Sequence, residues 1–278
     1  MATLIQSMQY ILSQKDPSMT NETKRIVLKE YLQALTLDYL YNHPIYRKIN
    51  FYGGTCLYYV YGLNRLSEDI DLDNSNNIDI TKLKEDLLIY YRTNIEYTDV
   101  TARTQMGERG IHRIILIFPV LHTLGLSPLE NETLHIKVEV TQHKQIAIIR
   151  KTPILVYGRS FVAAHFSLET MMAGKMLACL ERNFQKGSKG VYIKGRDFYD
   201  LLWFMQQNVN PLEEKLVKEG KKPYTVHSAF IELSDKVNRI NIAELAEDLL
   251  PLFEQRTFIE AWLEGCHDNF NEYVKRYI

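Results

Sequence analysis

The 278 residues carry 33 Lys and Arg against 34 Asp and Glu, so a nucleic-acid partner has to be held by a local basic patch and not by overall charge. With 46% hydrophobic residues the chain can build a normal core, which excludes long disorder, and apolar runs such as 114–120 fall far short of the roughly 20 residues a membrane helix needs. Cys56, Cys179 and Cys266 include no Cys-x-x-Cys pair, which argues against a disulfide framework or a cysteine zinc site and for buried, reduced thiols. The N-terminus lacks the basic-then-apolar plan of a signal peptide, so the expected address is the cytoplasm, with no membrane partner.

In chain order, Asn21 is suited to cap a helix whose apolar positions Leu28, Leu32, Leu35 and Tyr39 recur at helical spacing, and the pattern stops near Asn42-His43-Pro44. Ile49 to Tyr52 reads as a short strand running into Gly53-Gly54, Thr55 to Tyr61 as a short helix, and Asp69 to Asp73 as a strand. Asp79 can cap a helix through Tyr91. The β-branched runs 95–103, 110–118, 133–140 and 145–156 follow as strands. From Ser167 the pattern turns helical, with a capped helix to about Asn183, a second from Arg196 to Gln207 and amphipathic segments to Tyr277. This predicts an α+β chain with a mixed-sheet domain over 1–160 and a helical domain over 161–278.

Alternation on the 69–73 strand puts Asp69, Asp71 and Asp73 on one face and Ile70 and Leu72 on the other, same-face side chains being about 6 to 7 Å apart. Crowded carboxylates repel, and divalent cations would neutralise them. Magnesium, or manganese in its place, suits this donor set, because it takes one or two carboxylates and fills its other positions with water and substrate phosphate, as on a nucleoside triphosphate. Upstream, Gly53-Gly54 lets backbone amides approach a phosphate at a helix N-terminus, and Thr55, Arg65 and Ser67 are candidate phosphate contacts. Glu139, on the outward face of His135-Ile136-Lys137-Val138-Glu139-Val140, is the candidate third carboxylate. Further on, Lys186, Lys189, Lys194 and Arg196 lie among Gly187, Gly190 and Gly195, a loop suited to clamp RNA or a triphosphate.

The run Gly53-Gly54-Thr55 with Arg65-x-Ser67-x-Asp69-Ile70-Asp71-Leu72 resembles the AbiEii/AbiGii family of nucleotidyltransferase toxins, which includes the MenT-like proteins. The resemblance covers about residues 50–205. It implies a polymerase-beta-like fold, magnesium on the two aspartates, and a later lysine and aspartate completing the triphosphate site, to which Lys175 and Asp197 correspond. Related nucleotidyltransferases commonly have an aspartate as the third strand carboxylate, where this chain offers Glu139. By the same resemblance the acceptor is the 3′ end of tRNA or another RNA, and a cognate antitoxin and a role in phage defence are implied. Transfer onto a protein or a small molecule such as an aminoglycoside, or a catalytically silent RNA-binding protein of the same fold, are the rival readings.

Overall fold

The structure is a computed structural model that describes every residue except Met1, Glu108, Arg109, His143, Asn183, Gly187, Ser188 and Tyr192, and all side chains except those of Met1, Glu108, Arg109, His143 and 183–192. The chain divides into two compact units, one of residues 1–144 and 150–165, the other of 145–149 and 166–278.

The first unit opens with α1 (Leu4–Ser13), for which the sequence reading gave no element, its first helix starting at Asn21. Thr3 and Gln6 form a reciprocal capping box, and Leu4, Met8 and Ile11 make its buried stripe. Then α2 (Asn21–Asn42) begins one residue earlier than predicted, because the cap is Thr20 and not Asn21, the Thr20 hydroxyl accepting from the Thr23 amide. β1 (Asn50–Tyr52) leads directly into α3 (Gly53–Tyr61), which ends on Gly62 at φ +74°, a left-handed stop that glycine adopts freely. β2 (Asp69–Asp73) has the predicted bounds. α4 (Leu83–Thr93) starts later than expected: Asp79 does not cap it but accepts from the amide and hydroxyl of Thr81 in a local turn.

The remaining strands are β3 (Thr101–Met106), β4 (His112–Phe118), β5 (Leu134–Thr141), β6 (Ile149–Val156) and β7 (Arg159–Phe166), the last absent from the sequence prediction. Among the described residues seven strands form one mixed sheet, ordered β3-β4-β5-β2-β1-β7-β6. β2 pairs parallel with β5 and antiparallel with β1, which pairs parallel with β7. One face of the sheet, with Ile114, Leu116, Ile136, Val138, Ile70, Leu72 and Phe51, is buried, and α2 packs against β5. Tyr91 locks α4 to α2, its hydroxyl donating to the Leu32 carbonyl at 2.9 Å. Each fully buried leucine here contributes roughly 2 kcal/mol through the water it excludes.

Residues 145–148, predicted to open a strand, instead bond within the second unit. The Ile146 amide donates to Glu219, the Ile148 amide to Thr170, and the buried Lys215 ammonium reaches the Gln145 side chain, the Ile146 carbonyl and Glu219. That unit holds α5 (Leu168–Glu181), β8 (Phe184–Lys186), β9 (Lys189–Val191), α6 (Gly195–Gln206), α7 (Glu213–Glu219), α8 (Val226–Val237), α9 (Ile242–Leu249) and α10 (Arg256–Tyr273). Ser167 caps α5 as expected, and Phe198, Phe204, Phe230 and Phe270 fill the core. Within the Lys-and-Gly segment read as a loop, β8 and β9 pair antiparallel; the side chains of Lys186 and Lys189, and Gly187 itself, lie outside the described residues. No described helix is long and apolar enough to cross a membrane.

Candidate active site

Alternation along β2 works as expected for its first four residues: Ile70 and Leu72 are buried, while Asp69 and Asp71 are partly exposed on the opposite face. Asp73 departs from the pattern. It is buried and accepts from the Asn50 amide nitrogen at 3.0 Å and the Ser75 hydroxyl at 2.7 Å, so its charge stabilises the end of the β1–β2 pair. Two carboxylates, not three, therefore face outward from this strand.

The glycines explain why this site needs its particular residue types. Gly53 holds φ +78°, and a Cβ there would lie 2.0 Å from the Asp71 Oδ2, so the carboxylate rests directly on the glycine backbone. A Cβ on Gly54 would lie 2.8 Å from both the Arg65 Nη2 and the Ser67 Oγ. The buried Arg65 is fixed by donating Nη1 to the Leu66 carbonyl at 2.9 Å. Five residues separated in sequence thus close around one strand-to-helix turn, at a helix start that no side chain caps. We expect Gly53→Ala to lose roughly 2–4 kcal/mol of stability through backbone strain and overpacking, and to push Asp71 aside. Urea unfolding measures the first effect, and loss of divalent-dependent nucleotide binding the second. Thr55 is fully buried and its hydroxyl donates to the Asp69 carbonyl, which orients β2 and leaves that hydroxyl facing away from solvent.

Strand register places the other predicted carboxylate. Asp71 stands opposite Glu139, which stands opposite Arg113 on β4. The Arg113 Nε donates to Glu139 at 2.6 Å, so this glutamate already has a cation. Asp69 stands opposite Lys137, whose ammonium lies 3.5 Å away and is 44% exposed. Sequence reading missed both neutralising partners, although both lie on predicted strands; only the register reveals them. No group of three or more His, Cys, Asp or Glu side chains among the described residues is arranged to hold a metal. The arrangement fits an ion carried by the Asp69 and Asp71 pair with substrate oxygens completing its shell, and it offers no closed protein cage. The Cys56 thiol beneath is pushed up by burial and by the charge of Asp71.

In the second unit, Lys175 and Asp197 are brought together. The Lys175 ammonium lies 2.7 Å from Asp197 and 2.8 Å from Asp200, and Arg182 reaches Asp197 at 3.3 Å. Asp200 is fully buried, a participant that sequence reading left out although it lies three residues along the same helix. Asp197 does not cap α6; Asp248 does, accepting from the Gly195 amide at 3.1 Å. Burial pushes the Asp197 carboxyl up, yet Lys175 and Arg182 outweigh it and hold the group down at about 2, below its ordinary 3.8. Its ion pairs therefore stabilise the fold fully above pH 3.8, and that stability is lost as pH falls towards 2. Roughly 2 kcal/mol is at stake. Asp197→Asn should flatten the pH dependence of the urea midpoint across this window.

A search of curated proteins returns no significant match. Among solved structures, a Helicobacter pylori protein assigned to the nucleotidyltransferases superposes with TM-score 0.50 at 17% identity, over 90% of this chain and 94% of that one. JHP933 from Helicobacter pylori gives TM-score 0.50 at 17% identity, over 91% of this chain and 93% of the other. At that identity the likeness establishes the fold. The family model described as nucleotidyl transferase AbiEii toxin, type IV TA system, matches residues 38–277, a span that contains the glycine turn, both outward aspartates and the Lys175 cluster. The chain belongs to the AbiEii family of nucleotidyltransferase toxins of type IV toxin–antitoxin systems.

Proposed function

We propose that this nucleotidyltransferase moves a nucleoside monophosphate from a nucleoside triphosphate to a hydroxyl at the 3′ end of tRNA or another RNA. The acceptor oxygen bonds to the α-phosphorus as the bond to pyrophosphate breaks, and the hydroxyl proton leaves to a carboxylate or water. Asp69 and Asp71 would hold magnesium or manganese, which supplies charge stabilisation for the phosphoryl oxygens when bound. The Gly53 and Gly54 amides, with Arg65 and Ser67 beside them, would steady the triphosphate, and Thr55 would act through its hold on the Asp69 backbone. Glu139 would serve as base or as a further ligand, at the cost of its pairing with Arg113. Lys175 and Asp197 are carried as a second element of the triphosphate machinery by the family resemblance. The observation that carries this reading is the seat of the Asp71 carboxylate on Gly53, a contact that only glycine permits.

An antitoxin partner and a triphosphate substrate follow from membership of the family. Growth arrest in the cytoplasm through blocked tRNA, with a use against phage, is the biological role that this chemistry would serve. Incubation with each labelled triphosphate, magnesium, and total RNA or lysate tests the acceptor. Label in tRNA-sized RNA is the expected result. Label in protein or in a small-molecule fraction, with none in RNA, would overturn it.

A further inference from the structure

Strand pairing extends the acid-bearing face of the sheet well beyond Asp69 and Asp71. In one row Asp69 is followed by Lys137, Ile115 and Arg103; in the next Asp71 is followed by Glu139, Arg113 and Gln105; beyond them His135 faces Ile117 and Thr101. Charge therefore changes sign along the face, from two acids on β2 to cations towards the β3 edge. Of the cations on this face Arg113 has Glu139, and the neighbouring Lys29 on α2 has Glu68 at 2.5 Å. Arg103 is exposed, and among the described residues no ion pair is formed by it. Lys137 shares Asp69, which the proposed ion would neutralise, releasing the lysine. The proton affinity of His135 is lowered by burial and by Arg103, Lys29 and Lys137, so these positive charges gather around one spot. Nothing in the phosphate-binding turn uses them.

We infer that this strip, Arg103 on β3 with Lys137 and His135 on β5, seats the phosphodiester backbone of the RNA acceptor, so that the strand crosses the β3 edge and ends at Asp69 and Asp71. The inference rests on the proposed transfer to RNA and deepens it by naming the surface. Two cations, the exposed Arg103 and the half-exposed Lys137, stand on either side of the buried Ile115 in one row and offer a polyanion fixed positive charge, with binding driven by release of its condensed counterions. The near-neutral protein as a whole supplies no such field. An acidic protein segment is the other class of partner the charges would tolerate, and the test separates the two.

The native protein, Arg103→Glu, Arg103→Gln and Lys275→Glu are titrated with a fluorescent single-stranded RNA bearing a free 3′ hydroxyl, across a range of salt. Magnesium-dependent binding of a non-hydrolysable triphosphate is measured in parallel by calorimetry. Lys275 is exposed in the other unit, and its reversal changes net charge equally. Arg103→Glu should weaken RNA binding roughly tenfold and lower the salt slope by about one, with Arg103→Gln intermediate. Lys275→Glu should match the native protein, and triphosphate binding should be unchanged throughout. Equal RNA affinity in the Arg103 variants, equal weakening by Lys275→Glu, or a native protein that binds no RNA would each overturn the inference. Absence of triphosphate binding in the native protein would instead sink the transfer reading, while Arg103-dependent RNA binding would stand.

Discussion

Asp71→Asn is expected to lower nucleotide transfer by about a thousandfold while leaving the folded protein intact. Asparagine matches aspartate in size, so it can occupy the seat over Gly53 without meeting a Cβ. The lost charge is one of two on the outward face of β2, and removing it relieves repulsion with Asp69. The position is only partly buried, so unfolding free energy should change by less than about 1 kcal/mol. The rate effect is large because a divalent ion with one protein carboxylate is both weakly held and less able to offset charge on the reacting phosphoryl group. Several kcal/mol of transition-state stabilisation then disappear, each 1.4 being about a factor of ten. Transfer assays and thermal melts on one preparation check both halves. Activity within tenfold of native would remove Asp71 from the proposed metal site.

The largest stability effect is expected at Lys175. Lys175→Met leaves Asp197 and Asp200, 3% and 0% exposed, with Arg182 at 3.3 Å from Asp197 and Arg196 acting on it more weakly. Breaking a buried pair from one side costs about 3–5 kcal/mol, because the charges left behind are shielded from water and have lost their closest cation. The loss should have a distinctive pH signature. Without the lysine, burial raises the carboxyl groups, so the variant should recover part of its deficit as the solution is acidified from pH 7 towards about 5. Adding Asp197→Asn and Asp200→Asn to the methionine should restore most of the stability by removing the stranded charges. If Lys175→Met melted within about 1 kcal/mol of native at pH 7, the cluster would not hold the second unit together. A full loss of transfer in the restored triple variant would then speak for a role of the cluster in chemistry.

How much of this was visible in the amino-acid order differs from residue to residue. The glycine turn and the Asp69 and Asp71 face were legible because both depend on local rules: a left-handed backbone demands glycine, and strand alternation has a fixed period of two. The pairings of Lys137 with Asp69 and Arg113 with Glu139 were not, since they depend on which strands are neighbours and in what register. Thr55 looked like a phosphate donor because sequence cannot tell which of two nearby oxygens a hydroxyl will choose; the Asp69 carbonyl took it. β7 was overlooked for a compositional reason. Its inward residues include Ala163, with little β preference, and His165, a polar residue that is satisfied by Tyr61 and Thr152. In 145–148 the β-branched run was read as strand, but its backbone groups found side-chain partners on α5 and α7. Asp200 escaped notice because burial, and not spacing, makes it part of the lysine cluster.

The place of β7 has a consequence for how the protein is made. β1 carries the glycine turn, is flanked by β2 on one side, and on the other meets β7, whose pairing residue is His165. A nascent chain emerging from the ribosome therefore exposes Asp69 and Asp71 early, yet the strand that carries the glycine turn keeps a naked margin until residue 165 of 278 has been synthesised. If the glycine turn is the seat of transfer, as proposed, the toxin completes the sheet around it only after more than half of its own translation.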